Sequence, residues 1–213
     1  MTLKQGITTQ FVLPYIGGCA LVIFFGLSIS QIQRPETVAD FLTKFPFGLF
    51  GGAAAFLFLA AVTVQSILPR SAKEILVFWR LKERLPGHRA FKDESISADG
   101  RINWQTVRSY GGEPNLSATE QNNLWYRWYR SYQDHPTVIQ SHRLYLAFRD
   151  LTAVAALSAP IFAIAVFWSL SVWVAILFMI FPVLAYTMFM IVARNKAYDM
   201  MAQVLVMKSS EPD

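Results

Sequence analysis

From Leu151 to Ala193 the chain carries no charged side chain, and this run limits the possible folds more than any other feature. As one continuous helix it would measure roughly 65 Å at ~1.5 Å per residue, about twice the ~30 Å hydrocarbon core of a bilayer. It therefore predicts two helices folded back on each other, turning near Trp168, Ser169 and Ser171, with Trp168 and Trp173 at an interface. Two further uncharged stretches precede it, between Lys4 and Arg34 and between Lys44 and Arg70. Within them, FVLPYIGGCALVIFFGLSIS (11–30) and FGLFGGAAAFLFLAAVTVQSI (47–67) each match the ~20 apolar residues of a spanning helix. A hydrophobic content of 54% agrees with that reading.

The expected fold is an all-α membrane protein with four transmembrane helices arranged as two hairpins. A small helical cytoplasmic domain is inserted between the second and third spans. The expected division is a first hairpin over 1–67, a cytoplasmic domain over 68–150, a second hairpin over 151–193 and a cytoplasmic tail over 194–213. With the N-terminus cytoplasmic, all of the 19 Lys and Arg except Arg34 and Lys44 fall on the inner side. That places the chain in a bacterial inner membrane as a multi-pass protein with both termini cytoplasmic. The net charge of +5 then faces anionic lipid head groups, so lipids are expected partners and nucleic acid is not implied by charge alone. Met1 to Gln10 holds only Lys4 and no small-residue cleavage site follows, which makes a cleaved leader the weaker reading. Cys19 is the one cysteine, so no intrachain disulfide or cysteine zinc cluster is available.

Within 68–150, Ser71 and Glu74 fit a capping box opening an amphipathic helix stopped by Pro86 and Gly87. Lys73, Trp79, Arg80, Lys82 and Arg84 give it the character of a membrane-surface helix. Residues 92–103 read as a loop, and NWQTVRSYGG as a short helix closed by Gly111 or Gly112. Ser117 and Glu120 form a second capping box ahead of NNLWYRWYRSYQDHP (122–136). Pro136 suits the first turn of a helix that continues into the apolar run. In the second apolar stretch, Gly48, Gly51, Gly52 and Ala55 form small-residue pairs suited to close helix packing, within one chain or between chains. Ser28, Thr63, Gln65 and Ser66 are candidate pore-lining residues, with packing hydrogen bonds as the plain alternative.

Phosphate-loop, HExxH and GxSxG patterns are absent, and the apolar stretches lack the ionisable residues of coupled transport. His88, His135 and His142 have no ligand partner at metal spacing, so neither metal nor cofactor is expected, and no enzyme. In the aromatic-basic stretch, Leu124, Trp125, Trp128 and Tyr132 share one helical face suited to packing. On its flanks, Arg127 and Arg130 with Tyr126 or Tyr129, and His135 nearby, are candidates for binding a phosphorylated base. A protein partner is the other use of such side chains.

Arg130 and His135 also spell RxxxxH, which resembles the catalytic motif of HEPN ribonucleases, although Pro136 directly after the histidine favours a helix end there, whereas that motif lies at the start of a helix. LPRSAKEILVFWRLKERLPGHRAF (68–91) and residues 122–154 resemble a family of small bacterial inner-membrane proteins. The four-span layout resembles the membrane subunits of anti-phage systems of the Kiwa or Hailong type. That resemblance implies a homo-oligomeric effector, with a tetramer as the expected assembly. Its cytoplasmic domain would receive an oligonucleotide or cyclic nucleotide signal, or a cytosolic sensor protein, and gate a pore. The alternatives are a membrane scaffold that recruits a cytosolic partner and a membrane-tethered ribonuclease using Arg130 and His135.

Overall fold

Helix α1 spans Arg70–Phe78, and Arg70 Nε donates to Glu74 Oε1 at 2.8 Å across its first turn. A 3-10 turn follows at Pro86–Arg89, then α2 (Trp104–Ser109), α3 (Ala118–Tyr132), α4 (Pro136–Trp168) and α5 (Val172–Ser209). The computed structural model describes residues 12, 14–19, 21–22, 63, 67–93, 96, 98–168 and 172–211. Every element among them is helical.

Local chemistry explains the boundaries. Asn103 Oδ1 accepts from Gln105 N at 3.1 Å and Thr106 N at 3.3 Å, capping α2. At its other end Gly111 has φ 85, while Gly111 N donates to Arg108 O and Gly112 N to Val107 O, a Schellman closure. The Ser117–Glu120 capping box opens α3, with Glu120 N donating to Ser117 Oγ at 3.3 Å and Ser117 N to Glu120 Oε2 at 2.9 Å. Those hydrogen bonds, from the Ser117 hydroxyl first, hold the exposed Glu120 carboxyl below its ordinary range. Pro136 stands at the first position of α4, where its missing N–H costs nothing.

The structure departs from the expected amphipathic helix over 71–85. The α-helix ends at Phe78, because Trp79 takes a left-handed φ of 54. For a bulky aromatic residue that costs on the order of 1–3 kcal/mol, which the surrounding structure must offset. Arg194 supplies part of the compensation, donating from Nε to Val77 O at 2.6 Å with its guanidinium 5.2 Å from the Trp79 ring centre.

The described chain divides into two compact units, one of Met1–Pro69 with Asp150–Met188 and one of Arg70–Arg149 with Phe189–Asp213. In the first, Tyr15 and Ser158 share a hydrogen bond of 3.1 Å, and Phe181 stacks on Tyr15 and packs against Phe162. In the second, Phe91, Ile96, Val107, Trp125, Trp128 and Val138 form a core with Met200, Met201, Val204 and Leu205. The expected tail therefore contributes a wall of the core. Gln121 is fully buried at its centre, accepting from Phe91 N at 3.3 Å and donating to Leu116 O at 2.8 Å. A smaller cluster holds Val77, Phe78, Tyr145, Ala193 and Ala197.

Among the described residues no helix is long and apolar enough to cross a membrane. This finding overturns both the four-transmembrane-helix fold class and the multi-pass inner-membrane placement with cytoplasmic termini. Uncharged length alone does not make a span, which needs ~20 consecutive apolar residues on one helix. In the structure the uncharged run does not stand apart from the polar chain: α4 enters it directly from Arg149 and Asp150, and α5 runs on from it into Arg194 and Lys196 and ends in the core of the second unit. The expected spans at 11–30 and 47–67 lie for the most part outside the described residues, as do Gly48, Gly51, Gly52 and Ala55.

Candidate functional site

The aromatic-basic stretch divides by face on α3. Trp125 and Trp128 are buried, and Leu124 and Tyr132 pack against the same core. Phe91 meets Trp128 edge-on at 5.3 Å. The 3-10 turn presses close enough that a side chain at Gly87 would meet Asn122 Oδ1 at 2.5 Å and Trp125 at 3.3 Å. Glycine at that position allows the turn to seat on α3.

The outer edge of α3 carries Tyr126, Arg127 and Arg130, all exposed, with Tyr129 half-buried between them and the core. Trp125 stacks on Tyr129 at 5.4 Å, Tyr129 on Tyr126 at 5.9 Å, and the Arg130 guanidinium lies 5.6 Å from the Tyr126 ring centre. The result is a column of π-faces that starts in the core and ends in a cation at the surface. Spacings of three and four residues place these groups on one side of the helix.

Tyr129 is further fixed by His142 of α4, whose Nδ1 lies 2.9 Å from the Tyr129 hydroxyl with the rings nearly perpendicular. Burial raises the Tyr129 pKa, aided by Tyr126 and Asp134 and opposed by Arg70. Burial lowers that of His142, aided by the positive charges of Arg70 and Arg149. Both shifts favour one arrangement: a neutral imidazole accepting the proton of a neutral phenol.

This pair has a consequence for stability. Folding lowers the His142 pKa below its ordinary value of 6.5. Its contribution is therefore complete above about pH 6.5 and is lost as pH falls through the lower folded value. Thermal unfolding from about pH 7.5 to about pH 5 should show a steeper decline in wild type than in His142→Gln, which keeps a neutral acceptor. Parallel declines would show that His142 does not contribute this dependence.

His135 is exposed at the start of α4, its carbonyl accepting from Ile139 N at 3.0 Å and its Nδ1 lying 2.9 Å from Thr137 Oγ1. Arg130 is engaged with Tyr126, so the two residues of the RxxxxH spacing hold different partners.

Of the expected membrane-surface set, Lys73 is 5% exposed and stays inside, while Trp79, Arg80 and Lys82 are exposed and Arg84 is half-buried. Thr63 is helical and exposed, and Ser28, Gln65 and Ser66 lie outside the described residues. Sequence spacing gives His142 no visible partner, because Tyr129 lies on a different helix, 13 residues earlier. Its pairing with Tyr129 follows the geometry of a helical hairpin, since the two residues lie at similar distances from the break at Pro136.

No family model matches the chain, and neither a curated protein nor a solved structure matches it.

Proposed function

We propose that the unit of Arg70–Arg149 with Phe189–Asp213 is a receptor for a phosphorylated aromatic ligand, a nucleotide or short oligonucleotide, bound on the outer edge of α3. The observation that carries the reading is the column Trp125–Tyr129–Tyr126 capped by Arg130. A guanidinium placed beside a ring at the surface can offer a face to a base and its N–H edges to phosphate oxygens. Arg127 lies three residues earlier on the same edge, exposed and paired with no carboxylate among the described residues, and supplies a second phosphate contact. Tyr129, held by Trp125 and His142, keeps the platform rigid, which lowers the ordering cost of binding. No catalytic step is assigned to the chain.

Fluorescence anisotropy with labelled short oligonucleotides and cyclic nucleotides tests this proposal. Arg127→Ala with Arg130→Ala should weaken binding at least about tenfold, and wild-type affinity should fall steeply with salt. Both side chains are exposed, so circular dichroism should remain unchanged. Binding that survives the double substitution would remove the assignment.

A second reading, recruitment of a protein partner, is favoured by the exposure of Tyr126 beside Arg130, since Tyr and Arg dominate interface hot spots. Under it the same substitutions abolish partner capture, while nucleotides compete for nothing. The four-span layout behind the resemblance to anti-phage membrane subunits is overturned, and no pore is proposed.

A further inference from the structure

The backbone leaves α1 at Trp79 and reaches the 3-10 turn at Pro86 through a non-helical loop whose tips point out of the unit. Trp79 is 64% exposed and Leu81 is 76% exposed. Arg80 and Lys82 are exposed beside them and Arg84 is half-buried, so three cations and one acid, Glu83, share this short segment with two exposed large apolar side chains.

The loop is anchored at several points. Arg84 Nε donates to Leu81 O at 3.0 Å, and Arg194 reaches across from α5 to hold both Val77 O and the Trp79 ring. Trp79 at φ 54 and Glu83 at φ 48 both adopt the left-handed region that non-glycine residues rarely enter. Holding two apolar side chains outward in a strained backbone is the reverse of what folding alone favours, and strain of this kind concentrates where a segment has work to do.

We infer that this loop docks the unit onto a bilayer surface bearing anionic head groups. The chemistry matches that occupant in two respects. Indole and leucine side chains at adjacent tips suit the boundary between head groups and acyl chains, where Trp is enriched. Arg80, Lys82 and Arg84 then lie at the level of the phosphates, and the excess of cations over the single Glu83 gives the charge complementarity that an anionic leaflet rewards. Lys73, buried within the unit, takes no part. The contact is peripheral, made from one side by a loop rather than by a helix lying in the surface. It is independent of the α3 edge proposed as a ligand site.

The test is co-sedimentation of the full-length chain with vesicles of phosphatidylcholine alone and of phosphatidylcholine with phosphatidylglycerol. Wild type should prefer the anionic vesicles. Trp79→Ala with Leu81→Ala should weaken binding about tenfold or more through lost apolar insertion. Arg80→Glu with Lys82→Glu should abolish the preference between the two vesicle types. Trp79→Phe, which keeps an aromatic tip, should retain most of the binding. All these side chains are exposed, and unchanged circular dichroism confirms that the variants are folded. Equal vesicle binding by wild type and both double variants would overturn the inference. So would sedimentation analysis showing self-association that depends on Trp79 and Leu81 without vesicle binding, since the loop would then dock a second copy.

Discussion

Trp128→Ala should destabilise the unit of Arg70–Arg149 with Phe189–Asp213 by about 3–5 kcal/mol. The indole is buried in the core formed by α2, α3 and the end of α5, and its ring is met edge-on by Phe91 at 5.3 Å. It also closes against the turn after α2, where a side chain at Gly112 would approach the Trp128 ring at 3.1 Å and Val107 O at 2.8 Å. Truncation removes this contact from three elements at once, and close-packed helices do not collapse fully into the space. Two residues earlier, Tyr126 is exposed on the opposite edge, and Tyr126→Ala should cost within about 0.5 kcal/mol. Urea unfolding followed by circular dichroism measures both. Similar losses at the two positions would mean that the α3 stretch packs on all sides, leaving no free edge for a ligand.

The division of α3 into a packed and an open face was legible in the sequence, because Leu124, Trp125, Trp128 and Tyr132 fall at helical spacing. So were the Ser117–Glu120 box and the start of α4 at Pro136, since capping and proline geometry depend on neighbours only a few residues away. The early end of α1 was not legible. Nothing local in WRLKERL disfavours a helix; the break involves Arg194, more than a hundred residues later, capturing Val77 O and the Trp79 ring. A local reading assigns the segment a membrane-surface helix, whereas the tertiary contact leaves the same side chains on a strained loop.

The C-terminal segment was misread for a different reason. Ala197, Met200, Met201, Val204 and Leu205 lie at i, i+3, i+4, i+7 and i+8, an apolar stripe fully visible in the sequence. Standing after the long uncharged run, the segment reads as a tail because its partners in the core lie far away in sequence. In the structure the last four line the core and Ala197 joins the smaller cluster, with Ser141 Oγ donating to Gln203 Oε1 at 3.2 Å between α4 and α5 and Asn103 N donating to Ser209 Oγ at 3.3 Å. Uncharged length likewise suggests four spans. Absence of charge says only that a segment avoids water; whether lipid or protein covers it depends on helix length and partners, which composition does not encode.

Gln121→Leu should cost about 2–4 kcal/mol, although it replaces a polar side chain in the core with an apolar one of similar size. Gln121 is fully buried, and its amide links two segments that share no secondary structure: it accepts from Phe91 N after the 3-10 turn and donates to Leu116 O before α3. Leucine adds favourable apolar area but leaves a backbone N–H and a C=O without these partners. Each such group carries a desolvation penalty of about 1–3 kcal/mol when buried, which exceeds the gain from the extra apolar surface. Gln121→Glu separates the two bonds. A carboxylate still accepts from Phe91 N but cannot donate to Leu116 O, and it places a charge in the core, so this variant should recover stability as pH falls and the carboxyl becomes a donor. Urea unfolding of both variants across pH decides the matter. A Gln121→Leu protein as stable as wild type would mean that the two backbone groups find water or other partners, and that Gln121 is not the tie between the turn and α3.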